Sequence, residues 1–153
     1  MNPPAATTVI LVVDDDEYCR DITARLLERE GYRTLQARNG IECLETVARE
    51  HVDLVLLDVV MPGMTGFEVI PKLRALPNGQ TVPIILLTGR DDIGTHLEGM
   101  HSGVSEYLTK PITSHELSAR VRGQLHIVGL TRQLEQVERE LESTPGRPAR
   151  SGE

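Results

Sequence analysis

Residues 8–16, TVILVVDDD, and residues 52–58, VDLVLLD, decide the fold. Each is a short apolar run rich in branched side chains that ends on carboxylates. Neither alternates polar with apolar residues along its length. Strands that are apolar on both faces belong in the centre of a sheet covered on both sides. Working outward, three further runs suit strands, so that the expected set is 8–13, 33–37, 52–57, 82–87 and 105–108. Between them apolar residues recur at helical spacing: Cys19, Ile22 and Leu26; Ile41, Leu44 and Ala48; Phe67, Ile70 and Leu73; Ile93, Leu97 and Met100. Gly31 and Gly103 stand where left-handed residues close the first and fourth of these helices, and Asn39 stands where a cap opens the second. Alternating strands and helices predict an α/β fold, a parallel sheet with helices on both faces.

The last helix starts near Ser114 and changes face along its length. Leu117, Val121, Leu125 and Val128 suit packing on the sheet, whereas Ile127, Leu130, Leu134, Val137 and Leu141 repeat three-four-three-four, as in a coiled-coil seam. Thr144-Pro145-Gly146 breaks it. The expected organisation is a flexible N-terminus over 1–7, one domain over 8–128, a helical extension or coiled coil over 129–143 and a disordered tail over 144–153.

Bulk properties narrow the function classes. The 153 residues, 39% of them hydrophobic, suffice for one core, and a formal charge of −7 opposes a sequence-independent grip on nucleic acid. Cys19 and Cys43 lie on predicted apolar faces with no metal-ligand spacing, so both are expected as buried free thiols; the five histidines show no ligand spacing either. No secretion signal and no membrane-length apolar run is present, which predicts a soluble, cytoplasmic protein without a membrane partner.

The acids carry the chemistry. Asp14, Asp15 and Asp16 follow the first strand directly and Asp58 ends the third run, so a parallel sheet gathers them at one carboxyl edge, where such folds bind ligands. Two carboxylates about 4 Å apart repel by roughly 4 kcal/mol at an effective dielectric near 20, and a hard cation such as Mg²⁺ reverses that sign. An acidic triplet alone would serve as a helix cap. Asp58 needs no such explanation, because a Met-Pro-Gly loop follows it. Thr88 and Lys110 end the fourth and fifth strands and add a hydroxyl donor and an ammonium group, both suited to a phosphoryl group. A cis peptide before Pro111 would turn Lys110 into the crevice.

With VVDDD at 12–16, LLDVVMPGMTGFEV at 56–69, LLTGRDD at 86–92 and EYLTKP at 106–111, the chain resembles the CheY-like receiver domain of bacterial two-component response regulators. The resemblance implies a flavodoxin-like sheet of order 2-1-3-4-5, with Asp58 as the acceptor of a phosphoryl group from a histidine kinase or phosphotransfer protein. It implies a Mg²⁺ site, open also to Mn²⁺, made by Asp14, Asp15, Asp58 and the backbone carbonyl of Val60. Thr88 and Lys110 would contact phosphoryl oxygens, and Thr88 and Tyr107 would form the switch. Such a domain is no turnover enzyme, since it catalyses only its own phosphoryl transfer and dephosphorylation. Phosphorylation changes partner choice or self-association, here a weak homodimer through the C-terminal helix.

Departures from the common pattern are Gly89, where alanine is frequent, and Pro71 inside the third helix. Val60 and Arg90 occupy the positions that tune attack by water, and an apolar Val60 points to slow loss of the phosphoryl group. A haloacid-dehalogenase-like phosphatase would also use Asp14, Asp16, Thr88 and Lys110, but lacks here its paired acids after the lysine strand. A receiver fold that is never phosphorylated conflicts with the intact acids. A nucleotide-binding domain lacks its glycine-rich loop. The polar tail suits either a natural end or a linker to an effector such as a nucleotide cyclase or phosphodiesterase domain.

Overall fold

The computed structural model describes residues 8–89 and 104–143. The chain runs β1 (Val9–Val13), α1 (Glu17–Arg29), β2 (Arg33–Ala37), α2 (Gly40–Arg49), β3 (Leu54–Asp58) and α3 (Gly66–Arg74). A 3-10 turn (Pro77–Gly79), β4 (Ile84–Thr88), β5 (Glu106–Thr109) and α4 (Ser114–Ser143) complete it. The five strands form one sheet of order β2-β1-β3-β4-β5, every neighbouring pair parallel. This is the α/β architecture expected from the alternation of strands and helices. The expected N-terminus, the helix on Ile93, Leu97 and Met100 with its Gly103, Arg90, and the tail beyond Ser143 lie outside the described residues.

Every residue of β1, β3 and β4 is buried, as strands covered on both faces require. Alternate side chains supply two cores. Leu11, Val13, Val55, Leu57 and Ile84 meet Cys43 and Val47 of α2 and Val69, Ile70 and Leu73 of α3. On the opposite face Ile10, Val12, Leu54, Leu56 and Ile85 meet Leu27 of α1 and Leu117 and Val121 of α4. Each such buried side chain contributes about 1.5–3 kcal/mol, enough to hold helices of ordinary propensity in place.

Helix rotation corrects the sequence reading in two places. In α1 the buried residues are Arg20, Ala24 and Leu27, whereas Cys19 and Ile22 are exposed and Leu26 is half-buried. In α2 they are Gly40, Cys43 and Val47, with Ile41 and Ala48 exposed and Leu44 packed at the edge of the core. Both helices carry adjacent apolar residues, so two stripes one residue apart compete. The sheet contact selects between them. Only Cys43 is a buried thiol, and burial pushes it up to about 12. The stripe of α3 stands as expected at Ile70 and Leu73, with Phe67 half-buried, and the helix continues through Pro71.

The helix ends follow local chemistry. Asn39 caps α2 by accepting from Glu42 N at 2.8 Å, and Thr65 and Glu68 form a reciprocal capping box on α3. Gly31 closes α1 at φ 98°, donating to Glu28 O while Tyr32 N donates to Leu27 O. In α4, Leu117 and Val121 are buried and Leu125 packs on the core, whereas Ile127, Leu130, Leu134 and Val137 are exposed. No helix of the described residues is long and apolar enough to cross a membrane.

Candidate functional site at the carboxyl edge of the sheet

Val13 pairs with Leu57 at the last rung between β1 and β3, so Asp14 and Asp58 emerge side by side. Both are nearly inaccessible, at 3% and 5% exposure, while Asp15 is exposed. One carboxylate oxygen each from Asp14, Asp15 and Asp58 lie within 4.8 Å of one another. The third acid of the triplet goes elsewhere. Asp16 caps α1, its Oδ1 accepting from Tyr18 N at 2.9 Å and Cys19 N at 3.2 Å. The Cys19 amide is the chief influence holding its carboxyl below the usual range. The capping role considered for the whole triplet therefore falls to Asp16 alone.

Lys110 completes the cluster from β5. Its main-chain N–H donates to Thr88 O at 2.7 Å, fixing it beside β4. Its Nζ lies 3.1 Å from Asp58 Oδ2 and 3.8 Å from Asp14 Oδ2, and the peptide before Pro111 is cis. Burial pushes the Asp58 carboxyl up to about 6; Asp14 adds repulsion, and Lys110 and the Val60 amide pull the other way. Burial opposes the Lys110 charge, yet Asp58 and Asp14 leave its affinity for a proton above the ordinary value. The arrangement is thus short of positive charge, with one ammonium among three carboxylates.

Thr88 is buried at the end of β4, its hydroxyl donating to Gly89 O at 3.2 Å. Val60 N–H donates to Asp58 Oδ1 at 3.3 Å, and Val60 is 60% exposed. Tyr107 lies further down β5, paired with Leu86, and is partly exposed. Asp14, Asp15, Asp58, Thr88 and Lys110 therefore share one edge, and Tyr107 stands apart from it by three positions along its strand.

Two contributors escaped the sequence reading. Gly66 donates to Val59 O at 2.8 Å, and a Cβ there would stand 2.6 Å from Asp58 O, so the start of α3 abuts the end of β3. The signal available was the glycine placed directly after the Thr65 cap. Arg20 is buried, with Nη1 donating to Asp14 O at 2.7 Å and Nε donating to Gln36 Oε1 at 2.9 Å. Its helical spacing to Ala24 and Leu27 was the clue.

Residues 10–122 match the response regulator receiver domain family. Response regulator MprA of Mycobacterium leprae is 42% identical over 116 residues, which cover 76% of this chain and 50% of that relative. The chain thus spans about half the length of the curated relatives it matches. The receiver domain of a sensor histidine kinase from Pseudomonas aeruginosa, crystallised with a magnesium ion coordinated in its active-site cleft, is similar at TM-score 0.72 and 28% identity, covering 78% of this chain and 98% of that one. A structure described as adenylate cyclase from Rhodopirellula baltica is similar at TM-score 0.78 and 28% identity, covering 89% and 98%. Sheet order, the acidic edge and the family match lead to one conclusion: this chain belongs to the response regulator receiver domains, which act in two-component signalling.

Proposed function

We propose that Asp58 accepts one phosphoryl group from a histidine kinase or phosphotransfer protein, at a Mg²⁺ site formed by Asp14, Asp15, Asp58 and the main-chain carbonyl of Val60. The observation that carries this reading is the meeting of three carboxylate oxygens within 4.8 Å beside a lysine 3.1 Å from Asp58. The donor set is all oxygen, which suits a hard divalent cation, Mg²⁺ first and Mn²⁺ as a substitute. When bound, that cation supplies the positive charge that the crevice lacks.

The chain's own groups account for the rest. An Asp58 carboxylate oxygen forms a bond to phosphorus as the donor's phosphorus–nitrogen bond breaks, giving an acyl phosphate. Lys110 exchanges its contact with Asp58 for a phosphoryl oxygen, and the Thr88 hydroxyl exchanges Gly89 O for another. The ionised Asp58 gives up its own negative charge as the phosphoryl group brings about −1.5 to −2. The net gain of about −0.5 to −1 at the edge, with three new acceptor oxygens, favours a rearranged loop, which Tyr107 follows as the switch. The domain catalyses its own phosphorylation and dephosphorylation and is not a turnover enzyme. Incubation with acetyl phosphate and Mg²⁺, followed by mass spectrometry, is expected to add one phosphoryl group to the wild-type chain and none to Asp58→Asn. An equally modified Asp58→Asn chain overturns the assignment.

The partner reading extends to self-association. The exposed Ile127, Leu130, Leu134 and Val137 support a weak homodimer through the distal part of α4, and the net charge of −7 supports a domain that does not itself grip nucleic acid. A cytoplasmic setting without a membrane partner belongs to the same proposal.

A further inference from the structure

We infer that Arg20 is a positioning residue for the cation site, holding the peptide between Asp14 and Asp15 so that both carboxylates converge on Asp58. The inference rests on reading that cluster as a Mg²⁺ site. Arg20 lies on α1 at 7% exposure, and among the described residues it forms no salt bridge. A buried guanidinium without a carboxylate in direct contact costs several kcal/mol by rough account, of which the nearby Glu42 charge offsets only a part, so its hydrogen bonds matter to the local structure. Those bonds go to Asp14 O at 2.7 Å and to Gln36 on β2 at 2.9 Å.

The remaining bonds of the turn show what Arg20 adds. Asp14 N donates to Ala37 O at 3.1 Å, Asp14 Oδ1 accepts from Asp16 N at 2.9 Å, and Arg20 N donates to Asp16 O at 2.9 Å. The guanidinium takes the Asp14 carbonyl. The Asp14–Asp15 peptide is thereby fixed from α1 and β2 together. Asp15 needs this most. Its carboxylate is exposed and has no hydrogen bond or ion pair among the described residues, so only its backbone places it within reach of Asp14 and Asp58. A planar two-point donor does this; a lysine, with a point charge on a flexible stem, does not.

The test is Mg²⁺ titration of the whole chain by calorimetry, with the metal alone as probe, on wild type, Arg20→Lys, Arg20→Met and Gln36→Ala. Arg20→Lys and Arg20→Met are expected to raise the Mg²⁺ Kd about tenfold and Gln36→Ala about threefold, as for other residues that orient a ligand. In metal-free protein the Asp15 amide resonance is expected to shift in all three variants. Folded Lys and Met variants that bind within twofold of wild type leave Arg20 a merely structural residue and overturn the inference. So does wild-type affinity in Arg20→Lys beside weak binding in Arg20→Met, which would make charge alone the cause. If neither Arg20 variant folds, Gln36→Ala decides, since it keeps the guanidinium, and an unchanged Kd and Asp15 resonance overturn the inference. A wild-type chain that binds no Mg²⁺ overturns the cation reading and this inference with it, whereas equal binding by all chains overturns the positioning role alone.

Discussion

The carboxyl edge of the sheet and the distal part of α4 break the same rule in opposite directions. At the edge, Asp14 and Asp58 are buried charges with too little opposite charge around them; along α4, Ile127, Leu130, Leu134 and Val137 are apolar side chains left in water. Both cost free energy in the isolated chain. The difference lies in what enforces each. The acids are locked by β1 and β3, whose residues are all buried, so the site persists whatever binds there. The seam on α4 rests on a helix that packs through Leu117 and Val121 and then continues past the core. A preformed site answers to small changes in charge, and an unpacked face answers to concentration.

The largest expected effect breaks the edge into its two roles. Asp15→Asn is expected to raise the Mg²⁺ Kd at least about tenfold, because it removes a ligand charge, whereas Lys110→Ala leaves Mg²⁺ affinity unweakened and slows phosphorylation. Calorimetric titration of both variants measures this, and equal loss of Mg²⁺ affinity in the two refutes the division. The rigidity of the edge is tested next. Gly66→Ala places a Cβ against Asp58 O, a main-chain atom that cannot swing away. A loss of about 2–3 kcal/mol in urea unfolding is expected, with weaker Mg²⁺ binding at a pH where the chain is folded. A cost under about 0.5 kcal/mol would show the edge to be more compliant than its packing implies.

A third effect sharpens the claim that the acids are held against their own repulsion. Folding lifts the Asp58 carboxyl from 3.8 to about 6, so the folded state binds the proton more tightly than the unfolded chain. Relative stability from this group is therefore full below 3.8 and is lost as pH rises through about 6. In metal-free buffer Asp58→Asn is expected to stabilise the domain by about 1–2 kcal/mol at pH 8 and by nothing below pH 4. A thermal melt series against pH checks the sign. An Asn variant less stable than wild type at pH 8 contradicts it.

The smallest effect on stability belongs to α4. Leu134, 66% exposed, contributes little to the core, so Leu134→Ser is expected to change unfolding free energy by less than about 0.5 kcal/mol. Sedimentation is nevertheless expected to show the weak wild-type dimer reduced to monomer, and the wild-type dimer tightened by beryllofluoride. A wild-type chain that stays monomeric in both states removes the second half of the comparison.

Particular residues show how far the sequence could be read. Asp14, Asp15, Asp58, Thr88 and Lys110 were legible because each follows or ends a strand, and the sheet is parallel. Asp16 was legible only as one of three adjacent acids, since its capping bond depends on where α1 begins. Cys19 was misread because Leu26 and Leu27 allow two faces of α1, and burial chose the one with Leu27. Arg20 and Gly66 were missed because a buried arginine and a helix-start glycine look ordinary along the chain. Their importance lies in contacts with Asp14 and Asp58, six and eight residues away.

By itself the sequence determined the α/β class, the apolar centre of the sheet, the cap at Asn39, and the strand ends on which the acids stand. These are local properties, set by side-chain period, backbone preference and the nearest few residues. Only the tertiary structure decided the rotation of α1 and α2, the split of Asp16 from Asp14 and Asp15, the 3.1 Å approach of Lys110 to Asp58, and the hold of Arg20 on Asp14. Each depends on distances between groups on different elements, and such distances are fixed when the helices close on the two faces of the sheet.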